Sequence, residues 1–414
     1  MLYHYSFKSQ NSPAKAQSKS ILLLGGTAHL GNGDVIKDAA IGFENGKITF
    51  VKNLLLQNVD TTAYDIVIRS KNKHIYPGFI ATNSTLGLME IGAVRATLDY
   101  REVGKYNPNV RTITSYNTDS RIIPTVRTNG ILLAQISPRG GVISGTSSVV
   151  QFDAWNWEDA VVNIDEGLHM NWPKYRKING SDKKYFDNLD LLSGFFDKAQ
   201  TYSVNNSTEI DLRLEALKSI FNGNKRLYIN ANDVRQIKDL IAFKKKYKLQ
   251  KISIIGGQQS ILIAQLLREN KISVLLERVH SLPKYRQNDI HNPYKSAAIL
   301  AKENVEFCFQ NAGDMEQMQS RNLPFLAGTA VSYGLDYELA IKALTQTPAK
   351  ILGLKNYGEL KKGYSATLFI SEGDALDILT NKVTNAFIDG RQINLINEQE
   401  RNYIKYKKKY NLTD

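Results

Sequence analysis

Side-chain amides and hydroxyls stand shortly after two apolar runs of this sequence. Asn83 and Thr85 follow a short apolar run at residues 75–80, and Asn230 follows a second run at residues 226–229. Neutral amide and hydroxyl oxygens bind a divalent cation more weakly than imidazole or carboxylate does, although they hydrogen-bond small polar molecules well. The pattern therefore predicts a small-molecule ligand and no cofactor. A Ca²⁺-like or Mg²⁺-like site made of oxygen atoms is the alternative.

Three further residues are predicted to bind that ligand: Arg139, Asn232 and His169. Arg139 begins a glycine-rich stretch, RGGVISGTSS, whose backbone N–H groups and guanidinium suit an anionic group such as a carboxylate. The stretch lacks the Gly-Lys-Ser/Thr ending of a P-loop, which argues against a nucleotide. Glycines used only for turns are the alternative interpretation.

Asp314 and His280 are the residues predicted to take part in catalysis, if the chain is an enzyme. Asp314 follows the apolar run VEFCF, and His280 stands shortly after the run that ends at Leu276. The chain has six histidines, and no two are spaced H-x-H or H-x-x-x-H. Catalytic zinc sites use three protein ligands as a rule, so the histidine pattern leaves open whether the chain is catalytic.

The apolar runs alternate with segments of helical periodicity between residues 76 and 356. Repeated β-α units of this kind predict an α/β fold, a (β/α)₈ TIM-type barrel with its chemistry at the carboxyl ends of the strands. Residues 87–173 are rich in Gly, Asn, Arg and Trp and have few helical periods. We predict a long functional loop region there.

Both flanks of the predicted barrel are expected to be β structure. Residues 21–75 contain several apolar runs and an Asn45-Gly46 hairpin signal, and residues 357–392 contain two more runs. Because isolated hairpins are unstable in water, the two segments are predicted to join in one small, discontinuous β-sandwich domain.

The net charge of +13 raises the question of a nucleic-acid partner. About half of the excess lies at the ends of the chain, so residues 1–20 and 396–414 are predicted to be basic, solvated tails, with a polyanion or membrane surface as the alternative. No nucleic acid and no transmembrane segment are expected. The first twenty residues lack the apolar core of a secretory signal, which predicts a cytoplasmic protein, or a periplasmic one if the true N-terminus lies upstream.

The stretch HIYPGFIATNSTL, residues 74–86, resembles the amidohydrolase superfamily, in which P-G-[FLIM]-I-D-x-H-x-H ends the first barrel strand. Residues 77–80 match that motif, whereas Ala81 replaces the aspartate, and Asn83 and Thr85 replace the two metal-binding histidines. Further blocks, such as NLPFLAGTAVSYGL, resemble an imidazolonepropionase-like bacterial subgroup. The resemblance covers about residues 20–395, and it implies a urease-type composite β domain beside the barrel.

The resemblance also implies where metal ligands would stand. Asn83, Thr85, Asn230 and Gly256 (or Gly257) fall on the ligand positions, and Asp314 (or Asn311) falls on that of the acid. The implied metal site is thus degenerate.

The activity implied by the resemblance is hydrolysis of a non-peptide C–N bond, in a cyclic amide or an N-acyl compound. The alternative is a catalytically inactive homologue that binds a small polar ligand or pairs with an active amidohydrolase. A homo-oligomer is a further expectation. Function depends on the site more than on the fold, so the resemblance alone does not decide between these readings.

Overall fold

The computed structural model describes residues 12–175, 180–205, 209–283 and 288–412. Within these ranges the strands are β1 (Ile21–His29), β2 (Val35–Glu44), β3 (Lys47–Asn53), β4 (Ile66–Arg69), β5 (His74–Pro77), β6 (Phe79–Ser84), β7 (Ile131–Ile136), β8 (Ile143–Gln151), β9 (Val161–Asn171), β10 (Arg226–Ala231), β11 (Ile252–Gly256), β12 (Ser273–Leu276), β13 (Phe307–Phe309), β14 (Leu368–Ser371), β15 (Val383–Ile388) and β16 (Arg391–Gln392).

The α-helices of the same ranges are α1 (Ile123–Arg127), α2 (Trp157–Ala160), α3 (Lys183–Val204), α4 (Leu212–Phe221), α5 (Val234–Lys246), α6 (Ala264–Glu269), α7 (Asn292–Lys302), α8 (Glu316–Gln319), α9 (Leu323–Ser332), α10 (Tyr337–Leu344), α11 (Gln346–Ile351) and α12 (Glu398–Lys409). None of these helices combines the length and the apolar content that crossing a lipid bilayer requires.

The two ends of the chain contribute to one eight-stranded sheet. Its strand order is β16-β15-β14-β5-β1-β2-β3, and β4 pairs with β1. The junction lies where β14 runs antiparallel to β5, with Phe369 opposite Tyr76. Asn45 and Gly46 both have positive φ, as a tight hairpin turn between β2 and β3 requires. A sandwich arrangement and the predicted domain limits, residues 21–75 and 357–392, stay predictions.

The central part of the chain forms a second eight-stranded sheet, in the order β13-β12-β11-β10-β9-β8-β7-β6. A parallel bridge between Thr82 and Gln310 brings its first and last strands together, so the sheet is a nearly closed barrel. Helices α5, α6 and α7 connect the strands from β10 to β13, as in β-α units. The mixed α/β, TIM-type barrel is consistent with the sequence prediction.

One quarter of the barrel departs from that prediction. Residues 87–173 are not a loop throughout, because they contain β7, β8 and β9, and β8 runs antiparallel to both neighbours. Only the four-residue helix α2 lies between β8 and β9. The reason for the error is composition: β8 and β9 bury Ser147, Glu166 and His169, so these strands lack an apolar signature.

The barrel interior is divided into an apolar part and a polar part. Its apolar side chains form one cluster with residues of α11: Ile80, Leu133, Val149, Tyr228, Ile255, Leu275, Cys308 and Ile351. At the amino-terminal ends of the strands, Arg226 donates from its Nη1 to the hydroxyl of Ser253 and from its Nε to the carbonyl of Ile351. The carboxyl ends of the strands carry the polar residues described below.

The second predicted basic tail, residues 396–414, is a helix over most of its length. The side chain of Asn397 caps α12 by accepting a hydrogen bond from the backbone N–H of Glu400. Acidic residues stand in the first turn of α12 and lysines in the last, which suits the helix dipole. The cap and the arrangement of charges stabilise the helix locally, although none of its residues is buried. Of the other predicted tail, residues 1–11 lie outside the described ranges.

Candidate functional site

Asn83 stands at the carboxyl end of β6. It lies in the barrel mouth, the end of the barrel formed by the carboxyl ends of the strands, and hydrogen-bonds to three other segments there. Its φ of 48° is left-handed, a conformation that Asn tolerates better than most residues. Its backbone N–H donates to Gln135 Oε1 at 2.9 Å, and its Nδ2 donates to Gln310 Oε1 at 2.9 Å. The buried amide is therefore committed to the protein and has little freedom to turn towards a cation.

The Asn83 oxygens accept hydrogen bonds from Arg139. Nη1 of Arg139 donates to Asn83 Oδ1 at 2.9 Å, and Nη2 donates to the Asn83 carbonyl at 2.7 Å. Nη2 also meets both carboxylate oxygens of Glu316, at 3.2 and 3.3 Å. The sequence predicted that Arg139 binds the anionic group of a ligand. In the structure the anion beside Arg139 is the chain's own Glu316, and the binding of a ligand anion stays a prediction.

Glu316 also accepts hydrogen bonds from Thr85, the residue at the position that the resemblance implies for the second metal-binding histidine. Its Oε1 accepts from the backbone N–H of Thr85 at 2.8 Å and from the Thr85 hydroxyl at 3.1 Å. Gln317 Nε2 donates to the same hydroxyl at 2.6 Å. The Thr85 oxygen is thus surrounded by hydrogen-bonding groups of residues 316 and 317.

His169 is buried inside the barrel and is only 1% exposed. Its ring stacks on that of Tyr228, with centroids 4.9 Å apart, and its Nε2 has no hydrogen-bond partner in the described part of the chain. Burial, and then the charge of Arg139, hold the pKa of His169 well below its usual value of 6.5. The imidazole is neutral at physiological pH and presents an unpaired polar atom.

The mouth continues along β10 and β11 with neutral groups. Asn230 Nδ2 donates to Asn171 Oδ1 at 2.8 Å. Gly256 has a φ of 92°, and a Cβ atom added there would lie 2.4 Å from Oδ1 of Asn232. A side chain at Gly256 would require Asn232 to move and would be strained by the positive φ, and glycine itself offers no side-chain ligand. Asn232, a predicted ligand-binding residue, covers Gly256 and accepts from the backbone N–H of Gln258.

Glu166 lies deeper in the barrel, where sequence reasoning named no residue. Its carboxylate accepts hydrogen bonds from Ser147 Oγ, Gln135 Nε2 and Tyr228 Oη. Complete burial raises the pKa of Glu166 to about 7, and these three hydrogen bonds oppose the rise. Gln135 also accepts from the Asn83 backbone, so Glu166 is linked to the mouth through one side chain.

The two predicted catalytic residues are not part of this network. The side chain of Asp314 is exposed, and its carbonyl accepts from Arg278 Nη1. The buried acid of the same loop is Glu316, two residues further on. His280 Nε2 lies 2.7 Å from the hydroxyl of Thr329 on α9 and makes no recorded contact with the mouth residues that the structure describes. A catalytic role for Asp314 or His280 stays a prediction.

Could the sequence have identified the missed residues? Glu316 stands in a short polar loop beside Asp314, and nothing local distinguishes the buried acid from the exposed one. Gln135 offered a better signal, because it is a strongly polar residue within the apolar run of β7. Glu166 lies in β9, where other polar residues nearby weaken that signal. Buried acids in strands need hydrogen-bond donors, which Ser147 and Tyr228 supply.

A catalytic divalent metal of the kind that amidohydrolases use does not fit these residues. The described ranges contain no group of three or more His, Cys, Asp or Glu side chains that could hold a metal ion. The oxygen and nitrogen atoms at the implied ligand positions are neutral, and the Arg139 guanidinium already stands against Asn83 and Glu316. A second cation there would be repelled without gaining charged ligands.

A small cavity of about 40 Å³ opens at the carboxyl ends of β11 and β12. Gly257, Leu276 and Glu277 line it, together with residues at the start of α7. Gln258 Nε2 donates to Glu277 Oε1 at 2.6 Å on its wall. Among the described residues that line this cavity, none is Arg139, His169 or Glu316.

Solved structures of amidohydrolases are similar to this chain. An amidohydrolase from Thermotoga maritima is 23% identical with a TM-score of 0.76, over 90% of this chain and 99% of that one. An ochratoxinase from A. niger is 12% identical with a TM-score of 0.54, over 94% and 100% of the two chains.

A zinc-bound adenosine deaminase from Xanthomonas campestris is 13% identical with a TM-score of 0.53, over 97% and 100% of the two chains. No protein-family model and no curated protein matches the chain. At these identities the likeness concerns the fold. The resemblance drawn from residues 74–86 is confirmed at that level, and this chain has the amidohydrolase fold.

Proposed function

We propose that this chain is an amidohydrolase-superfamily protein whose barrel mouth binds a small neutral amide, such as a cyclic amide or an N-acyl compound, without a metal. The observation that carries the proposal is the unpaired Nε2 of His169. A buried polar atom without a partner costs about 1–3 kcal/mol, so a ligand atom that pairs with it gains that much.

The charges around the mouth favour a neutral ligand. Arg139 and Glu316 compensate each other, and both Nη atoms of the guanidinium already donate to oxygen atoms of the protein. His169 is neutral because of its burial. A ligand carboxylate would have to displace Glu316 from Arg139, whereas an amide needs only hydrogen bonds to neutral groups.

The test is a thermal-shift and calorimetric screen of cyclic imides, lactams and N-acyl amino acid amides. A binding compound should raise the melting temperature of the wild type, and the effect should be unchanged by a chelator. His169→Phe keeps a ring that can stack on Tyr228 but removes Nε2, so it should weaken binding about tenfold or more.

The matched control for that variant is His280→Phe, which removes an imidazole near α9 and should bind like the wild type. Equal binding by the wild type and His169→Phe would remove the basis of the proposal. So would a complete absence of shifts with all three compound classes.

Glu166 favours a second candidate function, metal-free hydrolysis of the same C–N bonds. A carboxyl group with a pKa of about 7 is suited to general acid–base catalysis at neutral pH. Turnover of a lactam or N-acyl compound that persists in chelator and is lost in Glu166→Gln would support it. Binding without turnover would support the inactive homologue instead.

Pairing with an active amidohydrolase, or with a second copy of the chain, stays a prediction of the sequence. Co-expression with an amidohydrolase that has an intact H-x-H motif, followed by size-exclusion chromatography with light scattering, distinguishes the two assemblies from a monomer.

A further inference from the structure

The carboxyl-terminal helix α12 buries none of its residues. Two contacts join its first turn to the body of the protein: Gln399 accepts from the Thr125 hydroxyl at 3.2 Å, and Glu398 lies 3.8 Å from Arg121. An isolated helix of 12 residues is marginally stable in water, because most helical stability in proteins comes from packing one face. A partner that covers α12 would supply that packing.

The residues of α12 are sorted by chemistry around the helix. Tyr403, Tyr406 and Tyr410 follow one another at spacings of three and four, so they share one face, continued by the helix C-cap. They are 63%, 51% and 61% exposed. Exposed tyrosines on one side of a helix suit an interface that is apolar on one side and wet on the other.

A basic stripe runs along a different side of α12. Its members have spacings of four, three and one, and they are Arg401, Lys405, Lys408 and Lys409. Residues 398–409 carry five basic and two acidic side chains, and both acids stand in the first turn, beside the protein body. After the first turn, all charged residues of α12 are therefore basic.

We propose that α12 binds an anionic membrane surface, with its tyrosines at the level of the lipid headgroups and its basic stripe against their negative charge. The charge complementarity identifies the partner, because lysine clusters on an amphipathic helix are attracted to acidic lipids while tyrosines settle at the interface. The barrel would then be held at the membrane by one peripheral helix, independently of what its mouth binds.

The experiment is sedimentation of the full chain with vesicles of phosphatidylcholine alone and of phosphatidylcholine mixed with phosphatidylserine. The wild type should bind only the mixed vesicles, and binding should fall as salt is raised. The triple variant Lys405→Gln/Lys408→Gln/Lys409→Gln should bind them roughly a hundredfold more weakly. Tyr403→Ser/Tyr406→Ser should also lose binding.

The matched control is Lys244→Gln/Lys245→Gln/Lys246→Gln, which removes the same charge from the last turn of α5. It should bind mixed vesicles like the wild type. Equal losses in the two lysine variants would mean that net charge alone is responsible, and would overturn the proposal. So would failure of the wild type to bind mixed vesicles, or tighter binding to DNA or polyglutamate than to them.

Discussion

Two buried carboxylates in the same barrel are stabilised in different ways. At the mouth, Glu316 faces the guanidinium of Arg139 and two groups of Thr85. Deeper in the barrel, Glu166 is surrounded by uncharged donors from Ser147, Gln135 and Tyr228. One site contains a compensated pair of charges and the other a single acid in a neutral shell.

The difference shows two ways in which one barrel accommodates a buried carboxylate. At the mouth, the positive charge beside Glu316 is supplied by Arg139. Below it, three uncharged groups donate hydrogen bonds to Glu166, the charge of Arg226 adds a weaker attraction, and burial raises the pKa of Glu166 to about 7. The stability contributed by Glu316 at the mouth therefore depends on the Arg139 cation. The stability contributed by Glu166 in the interior depends on whether its carboxyl group is protonated.

The largest expected effect comes from removing the cation at the mouth. Arg139→Met leaves Glu316 buried without its charge partner, and such a loss costs about 4 kcal/mol of unfolding free energy. Urea unfolding monitored by circular dichroism measures it. Adding Glu316→Gln to Arg139→Met should recover part of the loss, because the uncompensated charge is then gone.

The matched control for the mouth pair is Arg111→Met. Arg111 pairs with Asp165 at 2.6 Å, but its side chain is 44% exposed, so its loss should cost less than about 1 kcal/mol. Suppose that Arg139→Met lowers the unfolding free energy no more than Arg111→Met does. The Arg139 cation would then not be needed to stabilise Glu316, and the proposed difference between Glu316 and Glu166 would be wrong.

A smaller effect, and one that depends on pH, is expected at Glu166. Because its folded pKa of about 7 lies above the ordinary value of 4.5, the native state binds more protons than the unfolded state between these values. Stability should therefore fall as pH rises from about 4.5 to 7, by about 3 kcal/mol in all, and change little from this group outside that window.

Glu166→Gln should remove that dependence and make the protein more stable than the wild type at pH 8. The control is Glu400→Gln on exposed α12, which should leave the pH profile of stability unchanged. A wild-type profile that stays flat across the window, or an unchanged slope in Glu166→Gln, would contradict the assignment of a raised pKa to this carboxyl.

Sequence reasoning located the mixed α/β fold because strands β10 to β13 are apolar and alternate with periodic helices. It failed at β8 and β9, two neighbouring strands whose inward residues are polar and hydrogen-bond to one another. Strand periodicity identifies a strand when one face is apolar, and it has no such signal where a buried face is polar.

The site was predictable in part. Asn83, Thr85 and Asn230 were correctly expected at the strand ends, because the strand boundaries determine which residues follow them. The partners of these residues were not predictable. Glu316 and Arg139 are 177 positions apart in the sequence, and only tertiary structure brings them within 3.2 Å. The same holds for His169, whose missing partner is a property of its three-dimensional surroundings.

The smallest effect is expected from metals. The wild type purified without chelator should contain no stoichiometric zinc, and a chelator should shift its melting temperature by less than about 1 °C, since a bound metal would stabilise the native state by mass action. Elemental analysis and thermal unfolding measure the two quantities. A measured content of about one tightly held zinc per chain would show that the chain has a metal centre and would refute this prediction.

A pair of variants separates the two reasons for this expectation, which are missing ligands and the cation already present. Asn83→His/Thr85→His restores two imidazoles beside the Arg139 guanidinium and should still take up no zinc. Adding Arg139→Met removes the repulsion while Glu316 supplies a carboxylate, so the triple variant should retain measurably more zinc than the double variant. If both stay free of zinc, missing ligands such as that at Gly256 are the dominant reason. If both take it up equally, Arg139 does not exclude cations from the mouth.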